Sequence, residues 1–229
     1  MRPKPPTSQG ALAVGVVAGA FVLGACGEDE ADTTTTGPGA AAAEACEEVP
    51  AAEPKRVKLK PPRRQVGPAD EITATVETNC GDFEIALDRK VSPKTVSSFV
   101  QLVEERVYDG TPFHRVVDGF VIQGGDPAAD GTGGPGYTIT EEPPPDTSYT
   151  EGMVAMAKTG LEPAGASGSQ FFVVVTADAA LPPEYAVLGE LSGGEETVER
   201  IESLADPALG PEGGEPAVPV VIERITLDR

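Results

Sequence analysis

The stretch from residue 113 to residue 126 places a few polar side chains in an apolar setting. It reads FHRVVDGFVIQGGD and carries one arginine, Arg115, and one glutamine, Gln123, beside two phenylalanines. A second run, SGSQFFVVV at residues 167–175, has the same character. A few fixed polar groups in an apolar pocket suit an uncharged, extended substrate such as a peptide. The two stretches therefore predict a peptide-binding pocket.

The composition narrows the classes of partner. The 229 residues make one domain of ordinary size plus tails, and they include 37 Asp and Glu against 17 Lys and Arg, a net charge of -20. Nucleic-acid binding relies on lysine and arginine against phosphate, so this charge argues against it. Acidic residues on solvated faces instead favour solubility.

The N-terminus has the pattern of an export signal. A basic start precedes an apolar run over residues 11–23, which is too short to span a bilayer but suits a signal-peptide core. The sequence LGAC at 23–26 resembles a bacterial lipobox, in which the cysteine thiol receives a diacylglyceryl group and becomes the new N-terminus. Residues 1–25 are therefore predicted to be a lipoprotein signal peptide.

Lipidated, palmitate-bearing Cys26 is then expected to anchor the protein to the cell membrane on its extracytoplasmic side. The alternative is an ordinary secretory signal with a cysteine placed there by chance. Cys46 and Cys80 remain, and an oxidising exported compartment favours a disulfide between them. Two free thiols are the alternative.

Residues 26–68 are predicted to be a flexible, low-complexity tether. The part over 27–45 has threonine and alanine runs and no branched apolar residue, so it cannot bury a core. The part over 46–68 is rich in proline and basic residues. Such a basic cluster could dock on an anionic membrane, whereas prolines and scattered charges favour an open, solvated linker. The basic residues are Lys55, Arg56, Lys58, Lys60, Arg63 and Arg64.

The folded domain is predicted to span residues 69–229. Ser92 and Pro93 mark a helix start, and an apolar stripe extends that helix to about Val107. A second helix is expected over 195–204. Period-two alternation predicts strands at 72–78 and 82–88. Further short strands are expected at 113–117, 120–123, 137–140, 153–156, 170–175, 186–191 and 218–227. This pattern favours a closed antiparallel barrel with helical caps.

Several ordered motifs resemble the cyclophilins, which are peptidyl-prolyl cis–trans isomerases. The 113–126 motif is preceded by YDGT at 108–111 and followed by GTGG at 131–134, MAK at 156–158 and SQFF at 169–172. The resemblance runs from about Glu71 to Leu227. It implies a mainly β fold, a closed eight-stranded antiparallel β-barrel capped by two α-helices. It also implies isomerase activity that assists protein folding, with no cofactor and no metal.

The resemblance assigns the catalytic roles to Arg115 and Gln123. Amide resonance gives an X-Pro bond an isomerisation barrier of about 20 kcal/mol. Twisting decouples the nitrogen lone pair from the carbonyl, so a donor at that nitrogen stabilises the twisted state more than the planar one. Arg115 suits this role because its donors form a permanently charged, rigid fork. Gln123 is expected to bind substrate and to orient the arginine.

The remaining family positions are expected to bind substrate. Phe120, Val121, Phe172 and Leu181 correspond to an apolar seat for the proline ring. Phe113 is expected in the core or in the pocket wall, and Ala157 and Lys158 pair with the substrate backbone. The predicted substrate-binding residues are Phe113, Phe120, Val121, Gly131, Ala157, Lys158, Gln170, Phe172, Leu181 and Tyr185.

Two positions and one missing residue type depart from the family pattern. Val121 stands where the family commonly has methionine, and Tyr185 where it commonly has histidine. The chain contains no tryptophan, and the family's tryptophan is linked to tight cyclosporin binding. Weak cyclosporin binding is therefore expected.

The expected partners are proline-containing exported polypeptides, the membrane through the N-terminal lipid, and no nucleic acid, with the protein acting as a monomer. Two alternatives stand beside the enzyme. One is a non-catalytic cyclophilin fold that only binds proline-containing segments, and the other is a structural envelope lipoprotein. Arg115, Gln123 and Phe172 together favour the enzyme.

Overall fold

The computed structural model describes residues 46–67 and 71–229. The predicted signal peptide over 1–25, Cys26 and the first part of the predicted tether lie outside the described residues. Within the described residues no helix is both long and apolar enough to cross a membrane.

Ten strands make up the β structure of the described residues. They are β1 (Thr73–Thr78), β2 (Gly81–Leu87), β3 (Thr111–Val117), β4 (Val121–Gly124), β5 (Ile139–Thr140), β6 (Met153–Met156), β7 (Ala166–Ser167), β8 (Phe171–Val174), β9 (Val187–Gly193) and β10 (Val221–Asp228). Eight of them close into a barrel in the order β1-β10-β3-β4-β8-β6-β9-β2, with β2 pairing back to β1 and every pair antiparallel. The predicted eight-stranded antiparallel barrel is thus confirmed.

The strand predicted at 137–140 is confirmed over its last two residues only. Only Ile139 and Thr140 form a strand, and β5 pairs with β7 outside the barrel. The chain before β5, at 135–137, forms bends next to Pro135 and Gly136.

The barrel interior is filled by aromatic rings. Phe171 lies edge-on to Phe99, Tyr108 and Phe113, with ring centroids 5.9–6.2 Å apart. All four rings are at most 1% exposed. Such edge-to-face pairs add about 0.5–1.5 kcal/mol each beyond the burial of their area. This rigid centre supports the strands from which the site side chains project.

Two α-helices cap the barrel, α1 (Pro93–Glu104) and α2 (Glu195–Glu202), and a 3₁₀ turn follows at Pro207–Glu212. Both helices are shorter than expected. Helix α1 ends because Arg106 adopts φ 56° and the Val107 N–H donates to the Leu102 carbonyl, the pattern of a Schellman cap. Val107 and Leu204 are nevertheless buried, so the apolar stripe continues past the helical backbone.

Residues 46–67, the strap, lie against the barrel as irregular extended chain. A disulfide joins Cys46 to Cys80, the pair expected from the sequence. The Leu59 N–H donates to the Pro135 carbonyl at 2.8 Å, and the Val66 N–H to Ser97 Oγ at 2.9 Å.

The strap differs from the open, solvated linker expected over 46–68. Its apolar side chains Val57, Leu59 and Val66 are half-buried and pack against the barrel core. Alternation of these residues with lysines, rather than the proline content, decides how the segment lies, because burying apolar area offsets the entropy lost on ordering.

Candidate functional site

The strand register brings residues of four neighbouring strands side by side on the barrel. Arg115 of β3 pairs with Gln123 of β4, Gln123 pairs with Phe172 of β8, and Phe172 pairs with Ala155 of β6. Directly opposed residues of antiparallel strands point to the same face, so these side chains form one row.

A bulge in β3 decides which face carries the arginine. The register shifts between Phe113 and Arg115. Without the shift, residues two apart would share a face. With it, Phe113 enters the barrel core at 1% exposure, whereas Arg115 projects to the outer row. Of the two places expected for Phe113, the core and the pocket wall, it therefore takes the core, where it packs against Phe171 inside the barrel.

A cavity of about 190 Å³ lies over this row. It is lined by Arg115, Phe120, Val121, Gln123, Ala157, Lys158, Phe172, Leu181 and Tyr185. All nine are residues that the sequence analysis assigned to the site. Val121 and Phe172 are buried at its floor, within a small apolar cluster separate from the barrel core.

Arg115 is held at the edge of this cavity by two contacts. Its Nε donates to the Glu212 carbonyl at 2.8 Å, and its Cζ lies 5.8 Å from the centre of the Phe120 ring. Glu212 belongs to the 3₁₀ turn, far away in sequence. No sequence signal marked this contact, because a carbonyl acts as acceptor whatever its side chain.

Gln123 is held by a different set of hydrogen bonds. Its Nε2 donates to Gln170 Oε1 at 3.0 Å. Gln170 in turn donates from Nε2 to the carbonyls of Gly131 and Gly133, at 2.9 and 3.0 Å. Gln123 is therefore tied to the 126–136 loop. The sequence predicted that Gln123 orients Arg115, but the contact that orients Arg115 is the Glu212 carbonyl.

A second cavity of about 570 Å³ adjoins the first and shares Gln123, Ala157 and Lys158 with it. Gly131 and Gln170, both assigned to the site from the sequence, line this second cavity. The two cavities together form a groove, in which aromatic and aliphatic side chains line the smaller part and mainly polar side chains and glycines line the larger part. Such a groove suits a peptide with one compact apolar side chain in the smaller part.

Asp126 shapes the loop at this groove. The carboxylate is fully buried and accepts N–H groups from Ala128, Asp130 and Gly131 at 2.6–3.1 Å. A Cβ at Gly133 would lie 2.0 Å from the Asp126 carboxylate, so the close approach requires glycine there.

His114 lies behind the groove. Its Nε2 is 3.4 Å from Gln123 Nε2. Burial lowers the pKa of the imidazole, with the nearby Asp126 carboxylate opposing that shift. The ring is thus mainly neutral at pH 7. Among the described residues no group of three His, Cys, Asp or Glu side chains could hold a metal ion.

Tyr185 forms the rim of the smaller cavity and is fixed by Tyr149. The Tyr149 hydroxyl donates to the Tyr185 carbonyl at 2.6 Å and accepts the Tyr185 N–H at 2.9 Å. Burial raises the pKa of Tyr149 to about 12, so the hydroxyl remains a donor. The Tyr185 ring meets Phe172 edge-on at 5.5 Å. Sequence reasoning missed Tyr149, whose surroundings are a proline-rich loop without a motif.

The Lys158 side chain also contributes more than expected. It is only 4% exposed, its Nζ lies 3.0 Å from Glu184 Oε2, and the same ammonium is 5.3 Å from the centre of the Tyr185 ring. Lys158 therefore supports the rim with its side chain as well as lining the groove.

The family model for "cyclophilin type peptidyl-prolyl cis-trans isomerase" matches residues 73–227, more than half of the chain. The chain belongs to this family of cyclophilin-type isomerases. Rotation of the X-Pro bond is thus its enzymatic activity, and proline-containing polypeptides are its substrates.

Curated relatives agree with this. The chain is 39% identical over 176 residues to peptidyl-prolyl cis-trans isomerase B of Streptomyces anulatus, covering 70% of this chain and 98% of that protein. It is 38% identical over 178 residues to peptidyl-prolyl cis-trans isomerase A of Mycobacterium tuberculosis, covering 70% and 94%.

A solved structure shares the fold. A Cryptosporidium parvum cyclophilin-type isomerase, crystallised in the presence of the dipeptide Ala-Pro, superposes with a TM-score of 0.61 at 31% identity. The match covers 69% of this chain and 99% of that one.

Proposed function

We propose that the protein is an exported, lipid-anchored isomerase in which Arg115 hydrogen-bonds the twisted X-Pro amide of exported clients. The carrying observation is the guanidinium at the edge of the 190 Å³ apolar cavity, oriented from behind by the Glu212 carbonyl. A proline ring seated against Phe172 would bring its amide nitrogen towards this arginine.

The environment supports such a role. Val121, Phe172 and Leu181 supply apolar walls, and water excluded from the cavity strengthens the field of the arginine. Glu212 occupies Nε, so the terminal nitrogens of the fork can serve the substrate. Charge that develops on the amide nitrogen during twisting would be met by a donor already in place.

The role of Arg115 is tested by the Arg115→Ala variant. Loss of one donor at the transition state costs about 10²–10³ in rate. We expect kcat/KM for a proline-containing peptide to fall by that factor, measured by a protease-coupled or NMR exchange assay. Arg115→Lys should recover only part of it, because an ammonium lacks the fork.

Arg224→Ala is the matched control, since Arg224 is a strand arginine paired with Glu77 on the surface. Its activity should match wild type. If the Arg115→Ala and Arg224→Ala variants were equally active, the proposed arginine mechanism would be wrong. If wild type bound proline peptides without accelerating their isomerisation, the binding-module alternative would replace the enzyme.

The location is proposed from the N-terminal sequence. Residues 1–25 would be removed and Cys26 acylated, which places the barrel outside the cytoplasm, where the Cys46–Cys80 disulfide can form. Expressed in a bacterium with lipoprotein processing, the full chain should take up labelled palmitate and sediment with membranes. Cys26→Ser should abolish the label, and an unchanged label would rule out this anchor.

A further inference from the structure

The strap presents a row of cations to solvent. Five basic side chains are exposed within nine residues, and no acidic residue lies between 54 and 67. The five are Arg56, Lys58, Lys60, Arg63 and Arg64. We propose that this row is a docking surface for anionic lipid headgroups, which holds the barrel against the membrane in a fixed orientation.

Arg56, Lys58 and Lys60 face outward because the strap alternates over 56–60, whereas Arg63 and Arg64 are exposed where the chain bends. Val57 and Leu59 are half-buried against the barrel core, whereas Lys58 and Lys60 are exposed. In extended chain, neighbouring side chains point to opposite sides. Hydrogen bonds from Leu59 N–H to the Pro135 carbonyl and from Gln101 Nε2 to the Lys60 carbonyl, both 2.8 Å, keep this orientation. The backbone that carries the cations is therefore ordered before binding, which lowers the entropy lost on docking.

The five cations form no ion pair with another described residue. In the part of the chain that the structure describes, the ion pairs join Arg106, Lys158, Arg224 and Arg229 to carboxylates, and none includes a strap cation. This is notable because residues 71–229 hold 28 Asp and Glu against 9 Lys and Arg. The basic row remains available for an external anion.

The charge distribution favours a membrane over a soluble anion. Residues 46–67 have six cations and three carboxylates, whereas the rest of the domain is strongly acidic. An anionic surface would attract the strap and repel the rest, so only one orientation is favourable. The strap begins 20 residues after Cys26, a reach of at most about 70 Å. The preference for a membrane over a soluble anion rests on the proposed lipid anchor at Cys26.

The test uses the full, lipid-modified chain on vesicles and reads trypsin cleavage after Arg56 and Lys58 by mass spectrometry. One vesicle set contains phosphatidylcholine alone, and the other contains it mixed with phosphatidylglycerol. Each basic residue near an anionic surface contributes about a fivefold preference. We expect cleavage at least about tenfold slower on the anionic vesicles at low salt, and no difference at about 1 M salt.

Two variants make the test specific. Lys60→Gln/Arg63→Gln/Arg64→Gln keeps both cleavage sites but should lose the protection. Lys90→Gln/Lys94→Gln removes two exposed lysines elsewhere and should keep it. Equal cleavage of vesicle-bound wild type on both lipids would overturn the proposal. So would protection by a soluble acidic peptide that equals protection by the anionic vesicles.

Sedimentation with vesicles shows separately whether the proposed lipid anchor fails. A chain without an anchor would not sediment with neutral vesicles. In that case the docking proposal predicts sedimentation with anionic vesicles only, abolished in the triple variant, and no sedimentation with either would overturn it as well.

Discussion

At the scale of single residues, the site depends on the contacts that orient its side chains as well as on the chemical groups that those side chains carry. Arg115 is oriented by the Glu212 carbonyl, and Tyr185 by the Tyr149 hydroxyl. Both partners come from distant parts of the chain, so loss of either should change the shape of the groove while the barrel remains closed. This separates positioning effects from folding effects in experiment.

Tyr149→Phe should loosen the rim of the apolar cavity. Removing the hydroxyl leaves the N–H and the carbonyl of Tyr185 without their partner, at a cost of about 1–3 kcal/mol. We expect KM for a proline peptide to rise about three- to tenfold with a smaller change in kcat, read from steady-state kinetics. Tyr137→Phe is the control, because its hydroxyl contacts Ser98, which does not line the groove. Equal effects of Tyr149→Phe and Tyr137→Phe on KM would contradict the role assigned to Tyr149 in holding the rim.

The single histidine gives a direct pH measurement. Burial lowers the pKa of His114, so between that pKa and about 6.5 the unfolded chain binds more protons than the native one. Stability from the neutral ring is complete above about pH 6.5 and is lost as the pH falls through the lowered pKa. The imidazole NMR signal should titrate below 6.5, and wild type should lose melting temperature relative to His114→Gln on acidification from pH 7 to 5. A midpoint at or above 6.5 would contradict this.

At the scale of elements, the strap stabilises the loop that lines the larger cavity. The Lys55 and Leu59 N–H groups donate to the carbonyls of Pro127 and Pro135, at 2.6 and 2.8 Å. These prolines lie at the two ends of one loop. Within that loop, the carbonyls of Gly131 and Gly133 accept hydrogen bonds from Gln170 Nε2. The strap lies before the matched family region of 73–227, yet it contacts the substrate groove through this loop.

Opening the disulfide should therefore affect both stability and substrate binding. Residues 46 and 80 close a loop of 34 residues, for which chain entropy predicts about 3–4 kcal/mol. Cys46→Ser/Cys80→Ser should lower the melting temperature and raise KM, with kcat less changed. Reductant should reproduce both effects in wild type and leave the double variant unaffected. An unchanged KM would show that the loop holds its shape without the strap.

At the scale of the whole molecule, charge is strongly segregated. The acidic domain repels itself, and among the described residues the basic strap and the ion pairs oppose this repulsion. Raising NaCl from about 0.1 M to about 1 M shortens the screening length from about 10 Å to about 3 Å. We expect the melting temperature to rise by a few degrees, measured by circular dichroism. A fall would mean that attraction between strap and domain outweighs the repulsion.

Motif and periodicity together predicted much of this protein. The barrel, its two helices, the Cys46–Cys80 pair and all nine residues of the small cavity follow from local pattern and family resemblance. They could be predicted because apolar periodicity and spaced motifs are properties of neighbouring residues. The export signal, the lipid at Cys26 and the weak binding of cyclosporin stay predictions.

Only the tertiary structure decided how those residues are held. The bulge that turns Arg115 outward and Phe113 inward leaves no mark in the alternation of apolar residues. The Glu212 carbonyl and the Tyr149 hydroxyl reach the site from distant parts of the chain, and the strap lies on the barrel although its composition is that of a linker. Local pattern selects the elements, whereas contacts between residues far apart in sequence exist only once the barrel has closed.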